Sequence, residues 1–234
     1  MKGLRCELVL EDDKAVFKQY VNGARAEQTE TGRKWRKSFL TYSMMRGTED
    51  TEGNGPENRA LGLALQTWGV EVPIVFIRVH PDQSPDIRVE FKNKEDEPYF
   101  KEKPSVLAFA WYPELGELSG IIVFNEEYIW ALFSGSKIIT NPDGTQSNVR
   151  IFSMFIVMTH ELGHTLGLSH DEHGDTKDMM DPIYDPDVQE LSTWDIYRIR
   201  ALYGIRIFKD KSGNERWDIY ARLKRALSFI IRRR

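Results

Sequence analysis

Residues 160–170 have the sequence His160-Glu161-Leu162-Gly163-His164-Thr165-Leu166-Gly167-Leu168-Ser169-His170. On an α-helix, residues four apart are separated by about 40° around the axis and about 6 Å along it, so His160 and His164 project from one face. That spacing is typical of a pair of metal ligands. Glu161 lies about 100° further round the helix, which suits a general base beside the metal better than a ligand.

Gly167 permits the helix to end with a positive φ, after which the chain can turn back and bring in His170 as a third nitrogen ligand. Three ligands leave one coordination position open. Zinc in such a site polarises a carbonyl and lowers the pKa of bound water to about 7, while a carboxylate takes the proton and returns it to the leaving amine. The stretch predicts peptide-bond hydrolysis, with chance histidines on a buried helix as the alternative.

The composition is that of a globular protein with one main domain. The 234 residues are 41% hydrophobic and 29% charged, and a net charge of -4 indicates no nucleic-acid partner. No apolar run approaches the roughly 18 residues that span a bilayer. Residues 1–13 lack the apolar core and cleavage site of a signal peptide. Cys6 is the single cysteine, so no intrachain disulfide is expected, which suits a reducing compartment.

Three regions are predicted along the chain. Residues 1–34 are a charged extension or pro-segment, residues 35–204 the main domain, and residues 205–234 a C-terminal extension. Hydrophobic periodicity in the main domain predicts both strands and helices. The predicted strands are residues 38–44, 73–79, 86–91, 105–111 and 120–124, and the predicted helices are residues 56–70, 151–166 and 192–203. Ser192 is the expected N-cap of the last helix, and Gly204 is expected to end it.

The histidine motif resembles the long zinc motif of the metzincin clan of zinc metallopeptidases. Met179-Met180-Asp181-Pro182 resembles the Met-turn that underlies the metal in that clan, with Met180 in the better register. The resemblance implies an α+β metzincin fold. Its elements are a twisted, mostly parallel five-stranded sheet with one antiparallel edge strand, and about three helices.

Residues from about 35 to 204 look like a matrixin, the catalytic domain of matrix metalloproteinases. The segments that carry this resemblance are residues 34–42, 85–91, 107–113, 182–184, 191–196 and 202–204. The family's substrate lies antiparallel to the edge strand and beside a primed-side specificity wall. The implied substrate-binding residues are Ala108, Phe109, Ala110, Pro182, Ile183 and Tyr184. An apolar side chain is expected after the scissile bond.

Some positions depart from the matrixin pattern. Matrixins bind a second, structural zinc partly through histidines at two positions that Phe109 and Val123 occupy here, so one catalytic zinc ion is expected. Asp86 and Asn125 stand at positions similar to calcium ligands, but Tyr128 replaces an acid. Calcium and solvated loop acids therefore both stay open as interpretations.

Three further residues bear on latency and subfamily. Arg5-Cys6 resembles part of a cysteine switch but lacks the Gly-x-Pro-Asp that follows in matrixins, so an inert thiol is the alternative. Asp171 after His170 looks like the adamalysin branch of the metzincins, although those domains are usually disulfide-bonded. His173 lies near enough to compete as third ligand, but the position of Gly167 favours His170 and a solvent-facing His173.

The C-terminal residues 216–234 contain seven basic residues and one acidic residue. Their apolar residues recur at helical spacing, so the segment either packs back on the domain or lies on an anionic membrane surface. The expected protein is a monomer that cleaves polypeptide substrates. The alternative is a catalytically silent zinc-binding protein that uses the scaffold to bind a partner or a membrane. The compartment stays open, because the resemblance implies secretion and the N-terminus does not.

Overall fold

The structure, a computed structural model, describes residues 32–53, 55–171 and 177–232. Cys6 and His173, for which the sequence predicts roles, lie outside these residues. The helices of the described part are α1 (Gly55–Gly69), α2 (Tyr99–Glu102), α3 (Met154–Thr165), α4 (Thr193–Tyr203) and α5 (Trp217–Arg232). Its strands are β1 (Phe39–Arg46), β2 (Val75–Arg78), β3 (Ile87–Lys92), β4 (Ala108–Ala110), β5 (Ile121–Asn125), β6 (Trp130–Ala131), β7 (Gly135–Thr140) and β8 (Gln146–Ser153).

The main sheet has five strands in the order β2-β1-β3-β5-β4. The first four of these run parallel, and β4 pairs antiparallel with β5 at the edge. The predicted α+β fold with one antiparallel edge strand is therefore confirmed. Each predicted strand is present, with its bounds shifted by no more than three residues.

Helix α3 is held in the core by α1, which packs against it. Every residue of α3 is buried, as expected for a helix that is apolar on most faces. The indole N–H of Trp68 on α1 donates to the carbonyl of Thr159 on α3 at 2.8 Å, and Trp68 itself is fully buried. This bond joins the two helices one residue before His160 and so restrains the ligand-bearing helix.

The prediction of a helix over residues 151–166 is wrong at its start. Residues 151–153 end β8, and α3 begins at Met154, because the Ser153 hydroxyl accepts the Ile156 N–H at 3.2 Å and acts as N-cap. β8 pairs in parallel with β6 and forms an antiparallel hairpin with β7. These two strands, which are absent from the predicted strands, flank a turn at Gly144, whose φ is +82.

Helix α4 has the termini that the sequence predicts. The Ser192 hydroxyl accepts the Asp195 N–H at 3.0 Å, and the Asp195 carboxylate accepts the Ser192 N–H at 2.9 Å, which makes a capping box. At the other end Gly204 has φ +79, a conformation that favours glycine. The capping box also fixes the position of the Asp195 carboxylate.

The C-terminal helix α5 packs back on the domain. Leu227 is buried in the main core, and Leu223 and Ile230 are half-buried against it. Glu71, which is 1% exposed, accepts from Lys224 of α5 at 2.8 Å and from Arg200 of α4 at 2.7 Å. Of the two interpretations of this segment, the structure therefore has the packed one. Within the described ranges, no helix is both long and apolar enough to cross a bilayer.

We expect Glu71→Gln to weaken the docking of α5. The substitution removes the charge that two cations share at a buried position, and hydrogen bonds to charged groups contribute about 1.5–3 kcal/mol each. Urea titration should show an unfolding free energy lower by about 1–3 kcal/mol, with faster proteolysis between residues 205 and 216. Glu127→Gln is the matched control, because the pair of Glu127 with Lys94 is exposed and solvent screens its attraction, so its loss should hardly change stability. Equal, small losses of unfolding free energy in both variants would contradict the role of Glu71 in anchoring α5.

Candidate active site

Three imidazoles converge at the C-terminal half of α3. The Nε2 atoms of His160 and His164 lie 3.0 Å apart, and each lies 3.1–3.2 Å from Nε2 of His170. The two helical histidines are buried, and His170 is half-buried. The structure therefore brings together the three residues that the sequence predicts as metal ligands.

Two backbone carbonyls set the tautomers of the helical histidines. Nδ1–H of His160 donates to the carbonyl of Met179 at 2.7 Å, and Nδ1–H of His164 donates to that of Leu168 at 2.8 Å. Burial lowers the pKa of His160 to about 4, and burial together with the neighbouring histidines holds the pKa of His164 well below its usual value. Both rings are therefore neutral near pH 7, with the Nε2 lone pair directed at the other two rings.

This arrangement fits a zinc ion. Neutral nitrogen lone pairs that face each other at such short distances repel one another unless a cation lies between them. A zinc–nitrogen distance of about 2.0–2.1 Å in a tetrahedral site places ligand atoms about 3.3 Å apart, close to the observed 3.0–3.2 Å. Carbonyls that accept from the second ring nitrogen are also the usual support of metal-bound histidines.

The end of α3 explains how the third histidine arrives. Gly167 has φ +107, and its N–H donates to the carbonyl of His164 at 2.8 Å. The next N–H, of Leu168, donates to the carbonyl of Gly163 at 2.9 Å, which completes a Schellman motif. The motif directs the carbonyl of Leu168 at the His164 ring and turns the chain back towards His170. The predicted role of Gly167 as a positive-φ helix end is confirmed.

The predicted Met-turn lies against α3. Met180 is fully buried, and its Sδ is so close to Gly163 that a Cβ there would approach it to 2.3 Å. The preceding residue, Met179, supplies the carbonyl for His160 and donates its N–H to the carboxylate of Asp195 at 2.8 Å. The turn thus supports the metal site through its backbone as well as through a side chain.

Two supporting residues on α4 are not among the residues that the sequence predicts for the site. Asp195 fixes the Met-turn, and burial raises the pKa of its carboxyl. Its signal in the sequence is the capping-box spacing from Ser192. Arg198, which is 1% exposed, donates to the carbonyl and the hydroxyl of Ser169 at 2.7 and 3.1 Å. No local pattern indicates that partner, because the two residues are 29 positions apart in the chain.

Glu161 is fully buried and follows His160 on α3. On the helix, Glu161 lies next to His160 but points about 100° further round the axis. It is therefore close to His160 and His164 without lying on the face that those two residues share. The sequence predicts that Glu161 is the general base, and that role stays a prediction.

The edge strand β4 and the specificity wall, residues 182–184, differ in how exposed their side chains are. β4 is the edge strand of the sheet, and its residues Ala108, Phe109 and Ala110 are buried, so the strand has no exposed side chains. In the wall, Pro182 is half-buried and Ile183 is 49% exposed. The hydroxyl of half-buried Tyr184 accepts the Ser153 N–H at 3.1 Å. The structure thus gives the wall residues, and not the strand residues, the accessible side chains.

The wall is joined to the β7–β8 hairpin by an edge-to-face pair of rings and a guanidinium group. The Tyr184 and Phe152 rings lie 5.3 Å apart, and the guanidinium of Arg150 lies 5.4 and 5.2 Å from their centroids. Such contacts contribute about 0.5–1 kcal/mol each at exposed sites. The hairpin, which is not among the predicted strands, therefore packs against the wall residue Tyr184.

The residues at the positions that resemble the second-zinc and calcium ligands of matrixins take part in packing or in local hydrogen bonds. Phe109 and Val123 face each other across β4 and β5 in a small apolar cluster. The Asp86 carboxylate accepts from Lys37 and Thr41. The Asn125 carboxamide bonds two backbone groups, and the Tyr128 hydroxyl donates to the carbonyl of Pro104. Calcium therefore rests on the resemblance alone.

The profile of the matrixin family matches residues 34–204, which is more than half of the chain. This chain belongs to the matrixin family. Matrixins use a catalytic zinc ion, and the three histidines are the candidate zinc site of this matrixin. The match favours matrixin over adamalysin despite Asp171.

Curated relatives of this matrixin include several matrix metalloproteinases. Matrix metalloproteinase-20 of Homo sapiens is 32% identical over 178 residues, which are 74% of this chain and 33% of the human protein. Matrix metalloproteinase-18 of Xenopus laevis is 32% identical over 176 residues, or 73% of this chain and 33% of that protein. Matrix metalloproteinase-26 of Homo sapiens is 30% identical over 182 residues, which are 76% of this chain and 62% of that protein. This matrixin thus spans about a third of the length of the first two relatives.

Proposed function

We propose that this chain is a zinc-dependent endopeptidase that hydrolyses internal bonds of extended polypeptides. The observation that carries the proposal is the convergence of His160, His164 and His170, whose Nε2 atoms lie 3.0–3.2 Å apart. The membership in the matrixin family and the names of its relatives, matrix metalloproteinases, support the same reaction.

In the proposed mechanism the three histidines hold one zinc ion, which when bound supplies a Lewis acid for the scissile carbonyl and a source of nucleophilic hydroxide. Glu161 accepts the proton from the attacking water and returns it to the leaving amine. The carbonyls of Met179 and Leu168 keep the two helical rings in the tautomer that leaves Nε2 free.

We propose that substrate binds in an extended conformation along the outer side of the edge strand β4. Strand β4 is the last strand of the sheet and runs antiparallel to β5, so a peptide can add to it through backbone hydrogen bonds. The exposed Ile183 and the ring of Tyr184 then contact the residue after the scissile bond. We therefore expect an apolar side chain at that position of the substrate.

The test is digestion of a proteome-derived peptide library by the zinc-loaded chain, read by mass spectrometry. We expect cleavage before apolar residues, complete loss of cleavage with a zinc chelator, and recovery when zinc is added back. A chain that binds one equivalent of zinc but cleaves no peptide would contradict the proposal and favour the silent zinc-binding scaffold. Cleavage that persists in the chelator would exclude a metal mechanism.

The remaining predictions are also proposals. We propose that residues 1–34 precede a peptidase domain of residues 35–204, that residues 205–234 form an appendage to it, and that the chain is monomeric. Anionic membrane binding by the appendage stays a weaker proposal, because Leu223, Leu227 and Ile230 pack inwards.

A further inference from the structure

Of the three histidines, only His170 lies outside α3. It is on the segment between the Schellman turn and the Met-turn, and its ring is less buried than the other two. A helix fixes the direction of a side chain through its backbone, whereas a loop residue needs separate support. The geometry of the third ligand therefore depends on what holds residues 168–171.

Backbone hydrogen bonds hold both ends of that segment. Leu168 donates its N–H to Gly163 and accepts from the His164 ring. Asp171 donates its N–H to the carbonyl of Met180 at 2.9 Å. Between these anchors lies Ser169, directly before His170, and both its carbonyl and its hydroxyl accept from the guanidinium of Arg198.

Arg198 reaches Ser169 from α4, and the same face of α4 reaches the Met-turn. Asp195 and Arg198 are three residues apart, which places them as neighbours on one helical face. Asp195 accepts the Met179 N–H, whose own carbonyl holds His160, and Arg198 donates to Ser169 beside His170. Helix α4 thus supports a helical ligand and the loop ligand at once, through two buried side chains.

We propose that Arg198 is a positioning residue for the metal site, which fixes the loop of His170 in the ligating conformation before metal binds. The inference rests on the proposed zinc site but not on peptide cleavage. Its physical basis is that guanidinium is always charged, presents several donors in one plane, and at 1% exposure has little water to compete with its acceptors. Without the hydrogen bonds from Arg198 to Ser169, the His170 ring can take several orientations. Zinc binding must then restrict them, which weakens the affinity for zinc.

The test measures zinc affinity of the full chain by competition with a chromogenic chelator. We expect Arg198→Met to weaken zinc binding by about 10–100-fold, the range found when an outer support of a metal ligand is removed. The matched control is Arg200→Met on the same helix. Arg200 pairs with Glu71, away from the ligand segment, so this variant should keep its zinc affinity within about twofold.

Two milder variants keep the proposal testable if Arg198→Met does not fold. Arg198→Lys retains charge without the fork of donors, and Ser169→Ala removes only the acceptor at 3.1 Å, so both should weaken zinc binding by about 2–10-fold. The visible spectrum of cobalt-loaded protein gives a second readout, because its ligand-field bands report the coordination of the metal. We expect altered bands in Arg198→Met and unchanged bands in Arg200→Met.

Wild-type zinc affinity in Arg198→Met, or in both milder variants, would overturn the inference. So would an equal loss in Arg200→Met, because it would indicate general destabilisation. The proposed peptidase function fails differently: a chain with tight zinc binding and no cleavage leaves the role of Arg198 intact.

Discussion

Glu161→Gln should lower kcat/KM for peptide cleavage by about 10²–10⁴-fold, the range that general base catalysis contributes. The amide has nearly the volume of the carboxylate, so the fully buried site is not emptied. It cannot accept the proton of the attacking water, however, and the reaction loses its base. The imidazoles of His160, His164 and His170 are untouched, so zinc should bind with one equivalent as in the wild type.

The matched control is Glu57→Gln. Glu57 is also 0% exposed, but it lies on α1 and its carboxylate accepts from Thr48 and Thr51. That variant should lose stability and keep kcat/KM within about twofold once it is folded and zinc-loaded. Steady-state kinetics on one peptide from the library, with zinc content by atomic absorption, provide the measurement. Near-wild-type activity in Glu161→Gln would remove Glu161 from the mechanism.

The ligand set and the main sheet were predictable because their signals are local. On a helix, the four-residue spacing of His160 and His164 puts both rings on one face. Gly167 marks the end of that helix, because glycine readily adopts the positive φ that L side chains avoid. The strands likewise show themselves as β-branched and aromatic runs between turn residues. Such signals need no knowledge of the partner across the fold.

The start of α3 illustrates where local signals conflict. Residues 151 and 152 are as apolar as the helix that follows, so periodicity alone assigns them to it. The structure pairs Ile151 with Gly135 and Phe152 with Trp130 in strands, and leaves Ser153 as the N-cap. Tertiary pairing with two other strands therefore overrides the helical pattern up to the capping residue.

The outer support of the site was not predictable for a related reason. Arg198 is 29 residues from Ser169, and Asp195 is 16 residues from Met179. On the sequence alone each is a charged residue on an amphipathic helix, for which exposure to solvent is the default. The same holds for Glu71, whose ion pairs with Arg200 and Lys224 decide that the basic C-terminal helix packs on the domain.

Gly163→Ala should destabilise the protein by about 3 kcal/mol, although alanine is the best helix former. The new Cβ would lie 2.3 Å from Sδ of Met180 and 3.0 Å from both Cε of Met180 and Cζ2 of Trp68. Trp68 is held by its bond to Thr159, so Met180 or α3 must move. Either movement disturbs the support of the ligands, and zinc affinity should fall with stability. Urea unfolding at saturating zinc measures the stability, and competition with a chelator measures the zinc affinity.

A double-mutant cycle assigns this cost to one contact. Met180→Ala alone should cost about 2–4 kcal/mol, because it leaves a cavity in the core. In that background the Gly163→Ala penalty should shrink by at least about 1–2 kcal/mol, since the closest clash is gone. Gly62→Ala on α1 is the control: its Cβ would meet nothing within 4 Å, so helix propensity should raise stability by about 0.5–1 kcal/mol. An unchanged Gly163→Ala penalty in the Met180→Ala background would mean that the Met-turn does not press on the helix between the two histidines.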